Sequence, residues 1–161
     1  MKEVFLILFG FLLGTIPPWF SRKRRLKSHW CALRADINQC KDKAEILLND
    51  QVMSPLYRLP LTAFRVSFPV LLADGAINEI EVLAIGRFFS LVGEINRGLD
   101  YAAQVVKAED KQQLQQEFNR NCLKAKALIE SDNGPESLYD EVRRIVDSKV
   151  SLKWWQYMKS I

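Results

Sequence analysis

The sequence predicts an all-α protein: a single N-terminal membrane anchor followed by a four- to five-helix bundle. Three observations predict it. An uncharged apolar run, Val4 to Phe20 (VFLILFGFLLGTIPPWF), abuts a basic cluster of Arg22, Lys23, Arg24, Arg25 and Lys27, the pattern of a membrane segment whose positive flank stays in the cytoplasm. Beyond it, apolar residues recur at three-and-four spacing, the periodicity of helical faces. No strand-like alternation is evident, so an α/β active-site architecture is not expected.

These features divide the chain into an anchor (1–20), a basic juxtamembrane segment (21–27), a helical bundle (28–149) and an aromatic amphipathic tail (150–161). Because the basic cluster follows the apolar run, the N-terminus is expected outside and the body in the cytoplasm. A cleaved secretory signal would need positive charge before the apolar run and a small-residue cleavage site after it. This sequence has Met1-Lys2-Glu3 in front and Pro17-Pro18-Trp19-Phe20 behind. Length is the tightest constraint on the anchor. A helix ending at Ile16 would be about 20 Å long against a hydrocarbon core of roughly 30 Å, and only continuation to Phe20 would span it. Trp19 would then lie at the interface, with Arg22, Lys23, Arg24, Arg25 and Lys27 against lipid headgroups. A partly inserted hairpin is the alternative if Pro17 ends the helix.

Charge arithmetic separates the cluster from the body. Residues 1–27 carry six Lys/Arg against one acid, a net of +5; the whole chain is +4, so residues 28–161 net −1. The body therefore lacks the basic balance expected of a nucleic-acid-binding domain, and no nucleic-acid partner is expected. The cysteines Cys31, Cys40 and Cys122 are odd in number and widely spaced. They suggest free thiols rather than a disulfide framework or a metal site.

In chain order, the first bundle helix begins near Leu26 or Ser28 and runs to about Asn49, with Trp30, Leu33, Ile37, Cys40, Ala44, Leu47 and Leu48 inward. The sole histidine, His29, lies in its first turn without a second His or an acid pair, poor grounds for a metal or catalytic role. The connector Gln51–Pro60 is stiffened by Pro55 and Pro60. With Tyr57 and Arg58 it is the most plausible recognition loop, although the plainer reading is a crossover that buries Leu56 and Leu59. The second helix, Pro60 to Ala73, contains Pro69, which should kink or break it. Leu61, Phe64, Phe68, Leu71 and Leu72 share its inner face, and Gly75 suits a left-handed stop. The third helix opens with an Asn78/Glu81 capping box and runs to about Val106. Its broad stripe (Ile80, Ala84, Phe88, Leu91, Ile95, Leu99, Ala102, Val106, widened by Leu83, Ile85, Phe89 and Val92) makes it the expected centre of the bundle. Arg97 and Asp100 are spaced to pair, and Gly98 permits a close approach, which makes either a ligand or partner site or, more simply, a packing notch with a surface pair. The fourth helix, Glu109 to Ser131, turns Leu114, Phe118, Cys122, Ala125 and Ile129 inward. The fifth, Glu136 to about Lys149, turns Leu138, Val142, Ile145 and Val146 inward and places an Asp140–Arg144 pair outward.

The corner Ala73-Asp74-Gly75-Ala76-Ile77-Asn78-Glu79-Ile80-Glu81 resembles the helix-joining turn of the tellurite-resistance TerB-like domains, over about nine residues of 161. The resemblance implies a helical fold and points to Asp74 and Glu81 as the positions to test for a divalent cation. Two carboxylates fall short of the six to eight oxygens that calcium takes.

In the tail, Trp154 and Trp155 with Tyr157, Met158 and flanking lysines have the composition of an interfacial helix, of a cover for the bundle, or of a partner-docking segment. No phosphate loop, dinucleotide fingerprint, zinc-protease motif, calcium loop or nucleophile elbow occurs. The expected function is thus that of a membrane-tethered, non-catalytic scaffold in the cytoplasm. Its expected partners are membrane lipid and a protein partner or a second copy, through Tyr57, Arg58, Arg97, Asp100, Trp154 and Trp155, with no cofactor. The alternative is a small-ligand or divalent-metal-binding helical domain, or an unfamiliar enzyme, using acids such as Asp74, Glu81 and Asp100.

Overall fold

Capping chemistry sets the helix ends. In the computed structural model, which describes residues 2–49, 54–107, 111–131 and 136–151 (2–9 and 11–18 as helical backbone), the corner after Ala73 turns as its residues dictate. Gly75 takes φ 64°. Its N–H donates to the Leu72 carbonyl (3.0 Å) and the Ala76 N–H to the Leu71 carbonyl (2.9 Å), a Schellman stop. The Asn78 side chain then accepts from the Glu81 N–H (2.9 Å) while the Glu81 carboxylate accepts from the Asn78 N–H (3.0 Å), the reciprocal box expected there. Ser137 caps the last helix by accepting from the Asp140 N–H at 3.1 Å.

All regular structure among the described residues is helical: α1 (Lys2–Asn49), a 3-10 turn (Pro55–Tyr57), α2 (Thr62–Ala73), α3 (Glu79–Lys107), α4 (Lys111–Ile129) and α5 (Leu138–Ser151). Neither Pro69 nor Pro17-Pro18 ends its helix. Pro69 lies inside α2 without ending it, and α1 runs unbroken through Pro17-Pro18 for 48 residues. One lost N–H and one crowded carbonyl cost a helix about 3 kcal/mol, which flanking turns and tertiary contacts can offset.

The membrane anchor is corrected. Among the described residues no helix is long and apolar enough to cross a membrane, so the single-pass anchor over 1–20, its N-out topology and the cytoplasmic placement inferred from it are not supported. The basic residues read as an orientation signal are partly engaged within the protein. Arg25 donates to the Asp74 carboxylate at 2.9 Å and Arg22 to the Asp74 carbonyl at 3.0 Å. Lys23 lies 3.4 Å from the Trp19 ring centroid. Arg24 and Lys27 are exposed.

The core confirms most of the helical stripes. Trp30, Leu33, Ile37, Cys40, Ala44 and Leu47 of α1 meet Ala84, Ile85, Phe88, Phe89, Val92, Ile95 and Leu99 of α3, Ala125 and Leu128 of α4, and Val142 and Val146 of α5 in one cluster. α1 packs against α2, α4 and α5, and α3 against α4 and α5, so two long helices share the centre assigned to α3 alone. Phe64 of α2 stacks on Phe89 at 4.4 Å, tying α2 to α3 through rings. Four stripe members face solvent instead: Leu72, Ile80 (73 % exposed), Leu83 and Val106.

The cysteines are free: Cys31 exposed, Cys40 buried, Cys122 between. Burial pushes the Cys40 thiol well above its ordinary range, with the Asp36 carboxylate adding and Lys43 opposing; burial also raises Cys122. A raised thiol pKa means less thiolate and slower attack. Cys31 alone should therefore react promptly with a thiol reagent at about pH 8, and all three should react after denaturation. Prompt reaction of Cys40 in the folded protein would contradict this packing.

Candidate functional site

The described part of the connector between α1 and α2, residues 54–61, is held from both sides. Ser54 caps the turn, accepting from the Leu56 N–H through its hydroxyl (3.3 Å) and from the Tyr57 N–H through its carbonyl (3.0 Å). Asn96 of α3 then grips Leu59 twice: its side-chain oxygen accepts from the Leu59 N–H (2.8 Å) and its amide donates to the Leu59 carbonyl (2.9 Å). From α1, Lys43 donates to the Arg58 carbonyl at 2.7 Å and Cys40 to the Pro60 carbonyl at 3.4 Å. The Arg58 guanidinium donates to the Asp100 carboxylate, with its Nε at 3.1 Å. α2, which has no capping side chain of its own, receives a cap from α1, where the Asp36 carboxylate accepts from the Ala63 N–H at 2.7 Å.

These bonds decide which part of the loop faces out. Leu59 is buried, as the crossover reading expects, but Leu56 is 89 % exposed and Tyr57 38 %. The loop is therefore both a packed crossover and a rigid mount for two apolar side chains.

Next to it, between α3 and α4, lies an open cleft of about 410 Å³. Helical spacing builds it. Glu94, Arg97, Gly98 and Tyr101 are one face of α3, and Glu117, Arg120 and Lys124 one face of α4. Both acids are paired, Lys124 with Glu94 at 3.3 Å and Arg120 with Glu117 at 2.8 Å. Arg97 is exposed at the rim, one helical turn from Asp100. Gly98 sits against Asn121 of α4, whose side chain occupies the space a Cβ would fill. The packing-notch reading of Gly98 is therefore correct. Tyr101 accepts from the Gln113 amide at 2.7 Å.

The predicted Arg97–Asp100 pair does not form; Asp100 pairs with Arg58 instead. The exchange joins two segments that the sequence keeps 42 residues apart, so the loop that carries Tyr57 and Arg58 lies against the C-terminal half of α3, near Asp100 and Arg97. The predicted Asp140–Arg144 pair is likewise replaced: Asp140 accepts from the Ser137 hydroxyl (2.7 Å) and Arg144 pairs with Glu136 (3.2 Å). Trp154 and Trp155 lie outside the described residues.

The acids named for a divalent cation are already engaged. Asp74 is held by Arg22 and Arg25, and Glu81 by Lys149 at 2.8 Å. Among the described residues no three of His, Cys, Asp or Glu stand close enough to hold a metal ion. His29 shares a hydrogen bond with Ser67 (3.0 Å) at the α1–α2 seam, where it joins two helices. Asn96 and Asn121 are the residues that periodicity missed, since nothing local distinguishes a helical Asn that grips a distant loop from a solvated one; Leu56, which the crossover reading buries, is exposed instead.

Compared with protein-family models, curated proteins and solved structures, the chain finds no match in any of the three.

Proposed function

We propose that the chain is a non-catalytic helical interaction protein that docks a protein partner on the Leu56-Tyr57-Arg58 loop and the adjoining part of α3. The observation that carries this reading is the 89 % exposure of Leu56 on a backbone held by α1 and α3. A single exposed leucine is ordinary on a protein surface. One mounted beside a half-exposed tyrosine on a pre-ordered loop is different in kind, because burying it against a partner forfeits little loop entropy. Around this apolar point the Arg58–Asp100 pair and Arg97 supply a polar rim, the arrangement by which interfaces combine an anchor with orientation. The cleft beyond Arg97 extends the same surface with paired charges.

The test is co-purification of a stoichiometric partner with the full chain and its variants. Leu56→Asp and Tyr57→Ala should each weaken the complex at least about tenfold, while the melting temperature stays within a degree or two because neither side chain is buried. Retention of the partner by both variants would reject this surface.

A further inference from the structure

The seam between α1 and α5 has a regular register. The Tyr139 hydroxyl donates to Asn38 at 3.2 Å, Arg34 pairs with Asp147 at 2.9 Å, and the Lys149 ammonium lies 5.7 Å from the Trp30 ring centroid. α5 therefore runs antiparallel to α1, toward the N-terminal half of α1. Tyr139 also receives the Lys41 ammonium over its ring at 5.3 Å, so a ring of one helix meeting a cation of the other recurs along this seam. α5 reaches Ser151 opposite the turn of α1 that precedes Trp30, and α1 continues from there as helix down to Lys2.

Both stripes of the seam run on past that point. In α5, Tyr139, Val142 and Val146 are buried and Val150 packs on the core. The same spacing continues through Trp154, Tyr157 and Ile161, and residues 152–161 contain no glycine or proline. In α1, counting back from Asn38 and Arg34 at helical spacing gives Cys31, Lys27, Lys23 and Phe20. Lys27 is exposed and Phe20 is 49 % exposed. Arg22 and Arg25, which hold Asp74, lie on the other side of α1. The register of the seam sets Trp154 opposite Lys27, and Tyr157 opposite Lys23 and Phe20. We propose that residues 152–161 dock on this face of α1 and carry the α1–α5 seam on by about 15 Å, with the rings of Trp154 and Tyr157 against Lys27, Lys23 and Phe20. Covalent attachment to α5 delivers this segment to the face at an effective concentration on the order of millimolar, ahead of a second copy or a separate partner. Of its two lysines, Lys159 falls opposite the Trp154–Tyr157 stripe and Lys153 on its flank, so neither is driven into the cations of α1.

Disulfide trapping in the full chain tests this, because a disulfide forms only where two Cα atoms come within about 7 Å. In a Cys31→Ser background, Lys27→Cys combined with Lys153→Cys should join within one chain at least about tenfold faster than Lys27→Cys combined with Lys159→Cys, whose second thiol faces away. Adding Trp154→Ala should slow the first pair about tenfold by emptying the docked state. In the otherwise unchanged chain, Trp154→Ala should also lower the melting temperature by at least about 3 °C, since the docked segment belongs to the fold. Equal rates for the two pairs, failure of the first pair to join, or joining between two chains overturns the proposal. So does a Trp154→Ala variant that melts as the unchanged chain does, including one that has lost binding to phosphatidylcholine–phosphatidylserine vesicles, which would assign the segment to lipid.

Discussion

Phe88→Ala should lower the unfolding free energy by about 3–5 kcal/mol, the usual cost of emptying a fully buried aromatic site. Phe88 has no exposed surface and meets Phe89 edge-on at 5.1 Å. Phe89 in turn stacks on Phe64 at 4.4 Å. The cavity would therefore open beside Phe89, the ring that ties α2 to α3. Urea unfolding measures the loss as a fall in midpoint at constant slope. A loss below about 1 kcal/mol would mean that the ring is not packed as described.

The second large effect is one of sign. Gly86, Gly93 and Gly98 all lie in α3, where alanine is favoured over glycine by about 0.8–1 kcal/mol. At Gly86 and Gly93 an added Cβ meets nothing within 4 Å, so alanine should stabilise by up to about 1 kcal/mol. At Gly98 the same methyl overlaps the Asn121 side-chain amide. Asn121 is fully buried, so the amide has to move within packed surroundings, and overpacking of this kind costs about 1–3 kcal/mol. Gly98→Ala should thus destabilise while its two neighbours gain. Adding Asn121→Ala should recover part of the loss, a coupling that a double-mutant cycle reads directly. Three stabilising alanines would show that α3 and α4 do not approach at Gly98.

What the sequence made legible follows from where each signal resides. The capping box at Asn78 and Glu81 and the left-handed Gly75 are local, and both appear as expected. The stripes of α1 and central α3 are long enough that one phase fits every member. α4 is different. The apolar pattern points to Leu114, Phe118, Cys122, Ala125 and Ile129, yet its buried line runs through Glu117, Asn121, Ala125 and Leu128, because the glycine notch of α3 draws a polar side chain inward. That notch is a property of two helices together and has no counterpart in either sequence alone. The stripe also over-reaches at Ile80 and Val106, which are exposed; beside Val106 it is Val105 that is buried. The site was half legible for the same reason. Loop chemistry singled out Tyr57 and Arg58, and helical spacing suggested Arg97 with Asp100, but pairing across 42 residues depends on Asn96 and Lys43 setting the loop against α3. The membrane reading rested on composition and flank order. It is overturned because no described helix is long and apolar enough to cross a membrane.

The loop presents an apolar point already fixed in place, so affinity there depends on a small number of side chains. The Arg58–Asp100 pair is exposed on both sides, and its loss should cost folding stability no more than about 1 kcal/mol.

The central claim is that the Leu56–Tyr57 loop is where a partner docks. Site-specific photo-crosslinking tests it most directly, with benzoyl-phenylalanine placed at position 57 and, as a control, at exposed Gln116 of α4. The predicted result is one discrete crosslinked species from position 57, lost when Leu56→Asp is added, and none from position 116. Equal labelling from both positions, or a position-57 product indifferent to Leu56→Asp, would contradict the claim.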